Sequence, residues 1–387
     1  MLTITLNKLF RVAASYGLCI ALLFFLLVLT FIGTLEQVNH SLYEVQEKYF
    51  GSLFLVHELP GGIPVPMPGV YLITLLLFVN LTLGAIVRAR KNWKKPGMIV
   101  AHSGILMLLL AGFVTFHFST NGNLRLYEGE TLAYFEDYND WNLAVTEVGD
   151  GGVVYLFPAE SLQNATPTTP KALSGHNMPL ELSVTRYLKN SRPRQAMDGE
   201  AGAVDGVVLA DFPAATGTNT NIMGIELSAN GEPGEDGQNG LLWAASRAPW
   251  TVSSADREYS LRFENERYEL PFTITLDKFI RDLHPGTSMA ANFESRISLT
   301  DTGIQRQIEV KMNQPLRHRG YTFYQASWGP ENAAPGTRLY STFAVVRNPA
   351  DQWPKYACYV IGLGLTIHFL QSLMRYLRSE NRRRANG

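Results

Sequence analysis

The stretch Pro96–Phe118, PGMIVAHSGILMLLLAGFVTFHF, constrains this chain more than any other. It contains no Asp, Glu, Lys or Arg and is long enough to cross a bilayer as one helix. Small residues recur along it at helical spacing: Gly97, Ala101, Gly104, Ala111 and Gly112. They make a flat stripe where another helix approaches closely. One strongly polar side chain, His102, sits in the first third of the run. An ionisable residue inside a span is costly, so by default it suggests function.

The rest of the sequence divides by composition. Of 387 residues 46% are hydrophobic, yet the long apolar runs lie almost entirely before residue 118 and after residue 355. The spacing predicts helices over about 12–35, 69–87 and 97–118, and a fourth span over 356–374, with the fourth helix and its basic tail filling 354–387. A short loop, 36–68, joins the first two. Its HELPGGIPVPMPG segment holds too many Pro and Gly residues for regular helix or strand. Residues 119–353 alternate with period two in PFTITL, RISL and QIEVKM, which places Phe272, Ile274, Leu276, Ile297, Leu299, Ile308, Val310 and Met312 on buried faces. This reads as a large antiparallel β-rich domain between helices three and four. The Gly-, Asn- and Asp-rich stretch 196–240 reads as a mobile insertion between two β lobes.

Charge sets the orientation. RARKNWKK, residues 88–95, has five basic residues in eight, and the tail RYLRSENRRR is also strongly basic. With Lys8 and Arg11, these put the loop and both termini on the cytoplasmic side, and 119–353 outside the cell membrane. The net charge of −1, with no basic stripe bearing interleaved aromatics, gives no sign of nucleic-acid binding. Cys19 and Cys358 both fall in apolar runs, so the middle domain has no disulfide framework. The absence of CxxCH means that the chain is not itself a c-type cytochrome.

Two readings compete for His102: a histidine hydrogen-bonded to a neighbouring helix, or an axial ligand to haem iron. His368 is the second candidate. It lies seven residues from Arg375, as His102 lies seven from Lys95, so matched depths of roughly 10 Å would allow an intrachain bis-histidine site; the competing reading is a hydrogen-bonding histidine near a span's end. His40, His57 and His117 read as interfacial, and His176, His284 and His318 as isolated loop residues. The aromatic run 313–328, NQPLRHRGYTFYQASW, reads partly as core and partly as a binding edge for an extended peptide, presented through Arg317, Tyr321 and Gln325.

Together these residues resemble the ResB (CcsB) family of System II cytochrome c maturation proteins. The resemblance rests on Gly33-Thr34 with Gln37, His102-Ser103-Gly104, LPFTITLDKF, Pro285-Gly286-Thr287, Phe293-x-Ser295, Asn313-x-Pro315-Leu316, Gly320-x-x-Phe323-Tyr324-Gln325 and Asn348-Pro349. It implies a multi-pass protein of the bacterial inner membrane that works beside a ResC (CcsA) partner. It further implies transient haem b, carried across the membrane and joined to the CxxCH thiols of apocytochrome c by a holocytochrome c synthase complex. The family's membrane histidine corresponds to His102. The partner's WWD segment is absent here, so this chain alone lacks a complete synthase site. Outside that resemblance two other readings stand: an autonomous b-type electron carrier using His102 and His368, and a cofactor-free membrane-anchored sensor or adaptor.

The charge asymmetry makes a direct prediction. A topology reporter fused near Gly234 is active only in the exported compartment, and cytoplasmic activity there would overturn the orientation.

Overall fold

The computed structural model describes residues 2–59, 61–87, 96–149, 152–175, 178, 180–200, 202–216, 221–230, 238–246, 248–254, 257–283, 290–330 and 336–385. The basic loop 88–95, the reporter position Gly234, His176, His284 and the 285–287 motif lie outside the described residues. The chain forms two compact units. One is built mainly from Met1–Ser119 and Asn348–Gly387, the other from Thr120–Ala215 and Thr220–Arg347.

The helical unit opens with α1 (Leu2–Ala13) and α2 (Tyr16–Glu36). The expected first span over 12–35 is α2, which starts four residues later; residues 12 and 13 end α1. Ser15 is extended, and its side chain caps α2 by accepting the Leu18 N–H at 3.1 Å. Asn80, buried in the second span, fixes the joint by donating to the Ala13 and Ser15 carbonyls at 2.7 and 3.0 Å. The loop 36–68 is also more ordered than its composition suggests. It holds α3 (Leu42–Val45), a π-helical turn (Gln46–Gly51) and a hairpin of β1 (Phe54–Leu59) and β2 (Ile63–Pro68). Pro64, Pro66 and Pro68 share one strand parity, opposite Glu58, Val56 and Phe54. The Gly69 N–H bonds the Leu53 carbonyl, so the other parity makes the ladder bonds and the missing proline donors cost nothing there. After α4 (Val70–Leu81), which runs on as a π-helical turn through Val87, comes α5 (Pro96–Phe118).

The second unit is antiparallel throughout its described pairings, as the alternation predicts. Its strands are β3 (Thr120–Tyr127), β4 (Thr131–Glu147), β5 (Val154–Pro158), β6 (Lys171–Leu173), β7 (Leu182–Leu188), β8 (Ser191–Gln195) and β9 (Val207–Asp211). Then follow β10 (Gly224–Ala229), β11 (Gln238–Trp243), β12 (Trp250–Ser254), β13 (Arg257–Leu283), β14 (Ala290–Asp301), β15 (Ile304–Lys311), β16 (Leu316–His318), β17 (Tyr321–Gly329) and β18 (Tyr340–Arg347). A single turn, α6 (Ala159–Leu162), follows β5. The main sheet runs β15-β14-β13-β4-β3-β18-β17-β16, with β12 on β13 and β5 on β4; a second runs β11-β10-β7-β6.

β4 and β13 serve two cores. The 27 residues of β13 would reach about 90 Å if straight. Its odd-numbered Tyr259, Leu261 and Phe263 enter one core with Leu143, Val145 and the second sheet. Its even-numbered Leu270, Phe272, Ile274 and Leu276 enter the other with Phe135, Ile297, Leu299, Val310 and Phe323. Side chains alternate strictly along a strand, so this change of parity needs an irregularity; the ladder to β4 shifts between Asn265 and Arg267. Met312, expected to be buried, is exposed. The expected mobile insertion 196–240 is corrected as well: its described residues include β9 and β10 and the start of β11. These strands bury Val208, Leu209, Ile225, Leu227 and Ala229.

Both ends of the main sheet contribute to one core, through Val310 of β15 and Leu316 of β16. Polar side chains join those ends. Arg306 donates to His318 Nδ1 at 3.4 Å, while His318 Nε2 and Arg319 Nε both meet Asp301 Oδ2 at 2.7 Å. The hydrogen bond from His318, and then the Arg319 guanidinium, hold the Asp301 carboxyl below the usual carboxylate range against the opposing effect of desolvation.

The helical unit closes with α7 (Trp353–Ala385), one continuous helix. It runs antiparallel to α5 at backbone contact. A Cβ on Gly97 would stand 2.5 Å from His368 N and 2.6 Å from the Gly364 carbonyl; one on Gly104 would meet Ile361 and the Ala357 carbonyl at 2.6 and 3.0 Å. Asn348, just before α7, donates to Thr115 Oγ1 at 2.9 Å. The small-residue stripe thus receives a helix of the same chain. Together α2, α4 with its π-helical turn, α5 and α7 are the four helices long and apolar enough to cross a membrane among the described residues.

Gly97→Ala should destabilise the purified protein by about 1–3 kcal/mol, seen as a lowered melting temperature in detergent. Gly112→Ala, whose Cβ would meet nothing within 4 Å, should leave it unchanged. Acid sensitivity offers a second check. The Asp301 carboxyl ionises at lower pH in the folded domain than in the unfolded chain. Its stabilising contribution is complete above the unfolded value of about 4 and is lost as pH falls through the lowered folded value. Urea titrations across that interval should show a weaker loss of stability for Asp301→Asn than for the natural chain.

Candidate functional site

α5 carries the site. The glycine contacts turn Gly97, Ala101 and Gly104 toward α7, and all three are buried. His102 follows Ala101 by one helical step of about 100°, so it stands beside the stripe and is half-buried. Its Nδ1 lies 2.6 Å from the Met98 carbonyl. A carbonyl only accepts, so Nδ1 bears the proton and Nε2 keeps its lone pair. Among the described residues Nε2 has no hydrogen-bond partner. An imidazole whose far nitrogen is tied to a backbone carbonyl, with the near one open, is the donor arrangement that metal-binding histidines use. The residues present therefore fit an axial ligand to haem iron, with His102 Nε2 as the donor.

His368 is not at matched depth. Its backbone lies against Gly97, five residues before His102, which is about 7.5 Å along α5. The expectation of an intrachain bis-histidine site is corrected by this register. Counting from Lys95 and Arg375 assumes that the helix ends align, whereas the glycine contacts set the alignment. His368 Nδ1 is buried with no hydrogen-bond partner among the described residues.

The remaining membrane-region histidines have protein partners. His57 Nδ1 meets the Tyr49 hydroxyl at 2.7 Å and Glu36 Oε1 at 3.6 Å. Burial, reinforced by the negative charge of Glu36, pushes the Tyr49 hydroxyl up to about 12, so it remains a proton donor at neutral pH. His40 lies 3.4 Å from Glu36 and 3.7 Å from Glu44. His117 Nε2 meets the Tyr71 hydroxyl at 2.9 Å, with the Phe113 and Phe116 rings at 4.6 and 5.1 Å. No grouping of three metal-ligating side chains occurs among the described residues.

In the β unit the run 313–328 holds β16, the end strand of the main sheet, and most of β17. β17 is paired with β18 along its length and with β16 over Tyr321, Thr322 and Phe323. Leu316, Tyr321 and Phe323 are core residues. Gln325 bonds Ser295 at 2.6 Å and Ser341 at 2.8 Å, and Arg317 bonds the Thr322 hydroxyl at 3.2 Å. An alternating aromatic strand looks alike at a sheet's edge and in its interior, and the run is part core, part edge: Tyr321, Thr322 and Phe323 are paired on both sides and buried, β16 ends the sheet, and the rest of β17 pairs with β18 among the described pairings. Sequence reasoning missed the cluster at its end, where Trp328 stacks on Phe279 at 5.5 Å with Arg281 over its face at 4.5 Å. Phe279 and Arg281 share strand parity on β13, which is the signal that could have found them.

The ResB-like family model matches residues 251–343, from β12 into β18. The chain is 22% identical over 257 residues to Protein NrfI of Wolinella succinogenes; the match covers 66% of this chain and 26% of that protein. It is 43% identical over 56 residues to the cytochrome c biogenesis protein CcsB of Synechococcus sp. (strain CC9605), covering 14% of this chain and 13% of the relative. A second CcsB, from Synechococcus sp. (strain CC9902), is 41% identical over 56 residues, with the same coverage. The matches thus span about a quarter of the NrfI length and about an eighth of each CcsB. The resemblance to the ResB family, carried in the sequence by scattered motifs, is borne out, with the family model resting on residues 251–343.

Proposed function

We propose that this chain is a subunit of a cytochrome c maturation complex of the bacterial inner membrane, one that helps to pass haem across the membrane and to present apocytochrome c for haem attachment. The observation that carries this reading is the bond from His102 Nδ1 to Met98, which leaves Nε2 open on a helix of spanning length. The names of the CcsB relatives support it. Haem, when bound, supplies the iron that Nε2 ligates and the vinyl groups that the thioether chemistry consumes. The chain's own residues do the rest. Met98 holds the imidazole tautomer, and α7, packed on Gly97 and Gly104, fixes the rotation of α5 and so the direction of the ring. The excess of basic residues in the loop and the tail supports an exported 119–353, on the side where apocytochrome is delivered. Because His368 is out of register, the second ligand comes from a ResC/CcsA-type membrane partner, and the complete synthase site needs that partner. The same offset weighs against an autonomous b-type carrier.

The test is His102→Ala in the complex with its partner. Bound haem and cytochrome c maturation should fall together, and external imidazole should partly restore both. His368→Ala should have the smaller effect. Normal haem content in His102→Ala would return His102 to a structural role.

A further inference from the structure

We infer that α1 is an interfacial anchor that lies in the headgroup region of an anionic bilayer leaflet. This rests on the membrane reading of α2 and is independent of haem. α2 has 21 residues and is about 31 Å long, enough to cross the hydrocarbon core unaided. Whatever precedes it therefore starts at the membrane boundary. Tyr16, the first residue of α2, is 79% exposed, as befits an aromatic side chain at headgroup level.

α1 has two faces. Leu9, Phe10 and Ala13 fall within about a third of the helical circumference, and Asn7, Lys8 and Arg11 occupy the opposite side. Leu9 is 66% and Phe10 39% exposed, so among the described residues no other element fully covers the apolar face. The helix is no loose tail. Asn80 bonds the carbonyl of its last residue, Ala13, and that of Ser15 just beyond, and the Ala14 carbonyl is the nearest atom, at 3.3 Å, to the Cβ position of Gly84 in the second span. An amphipathic helix pinned at a span's boundary, with cations on its polar face, is matched chemically by lipid: acyl chains for Leu9 and Phe10, anionic phosphates for Lys8 and Arg11. Continuity with α2 makes the bilayer the nearest apolar surface.

The experiment uses the full chain with Cys19→Ala and Cys358→Ala, spin-labelled through Asn7→Cys or Leu9→Cys. It is reconstituted in phosphatidylcholine vesicles with or without phosphatidylglycerol. Positions 7 and 9 are about 200° apart on the helix. In anionic vesicles the label at 9 should be relaxed several-fold more by oxygen, relative to a water-soluble nickel chelate, than the label at 7. Adding Lys8→Gln and Arg11→Gln should erode that difference, as should omitting phosphatidylglycerol. Equal nickel access at both positions would put the apolar face in water and overturn the inference. Shielding of position 9 from both agents would put protein over it, and would overturn it equally. A depth that ignores lipid charge and both cations would remove the anionic headgroup from the proposal. None of these outcomes depends on whether His102 binds haem.

Discussion

The backbone contact between α5 and α7 is the interaction on which the rest of the helical unit depends. In lipid there is no hydrophobic gain from pressing two apolar helices together, so association must come from close packing. Gly97, Ala101, Gly104 and Gly364 supply that closeness, with His368 N and the Gly364 and Ala357 carbonyls at distances only glycine tolerates. The same contact sets the rotation of α5, and rotation decides where the imidazole of His102 points. In the β unit, β3 pairs with β18 so that Thr120 faces Arg347, and the strands that begin and end the unit lie side by side. A domain inserted between two helices needs its entry and exit close together, and this register provides them.

Much of this is legible in the sequence, for a physical reason in each case. A span free of charge announces itself, and strict alternation marks the buried faces of β13, β14 and β15. The misses have physical causes too. Ser15 separates two helices inside an uncharged run, so hydropathy alone starts the first span at 12, four residues before α2 begins. Three prolines at one parity are compatible with a two-stranded hairpin, although proline density reads as irregular chain. β9, β10 and β11 are five or six residues long and lie among glycines and acids, so their alternation is diluted below notice.

The candidate site is half legible. His102 stands out because an ionisable group in a span is conspicuous, but its tautomer depends on a carbonyl four residues earlier that every helix possesses. Only the observed 2.6 Å contact shows that Met98 is the one engaged. The depth of His368 is not legible at all. Helix register is set by which small residues meet, and flanking charges report only where the chain leaves the membrane.

That register also bears on how a macrocycle would reach His102. The stripe of α5 that would have admitted a flat ring is covered by α7 at backbone distance, so that side is closed. His102 stands on the face one helical step away and is half-buried. The His368 backbone is about 7.5 Å from the level of His102 along the helix. The packing that turns His102 off the α7 contact is thus the same packing that holds His368 at another depth, which is the physical ground for proposing a shared site rather than a self-contained one.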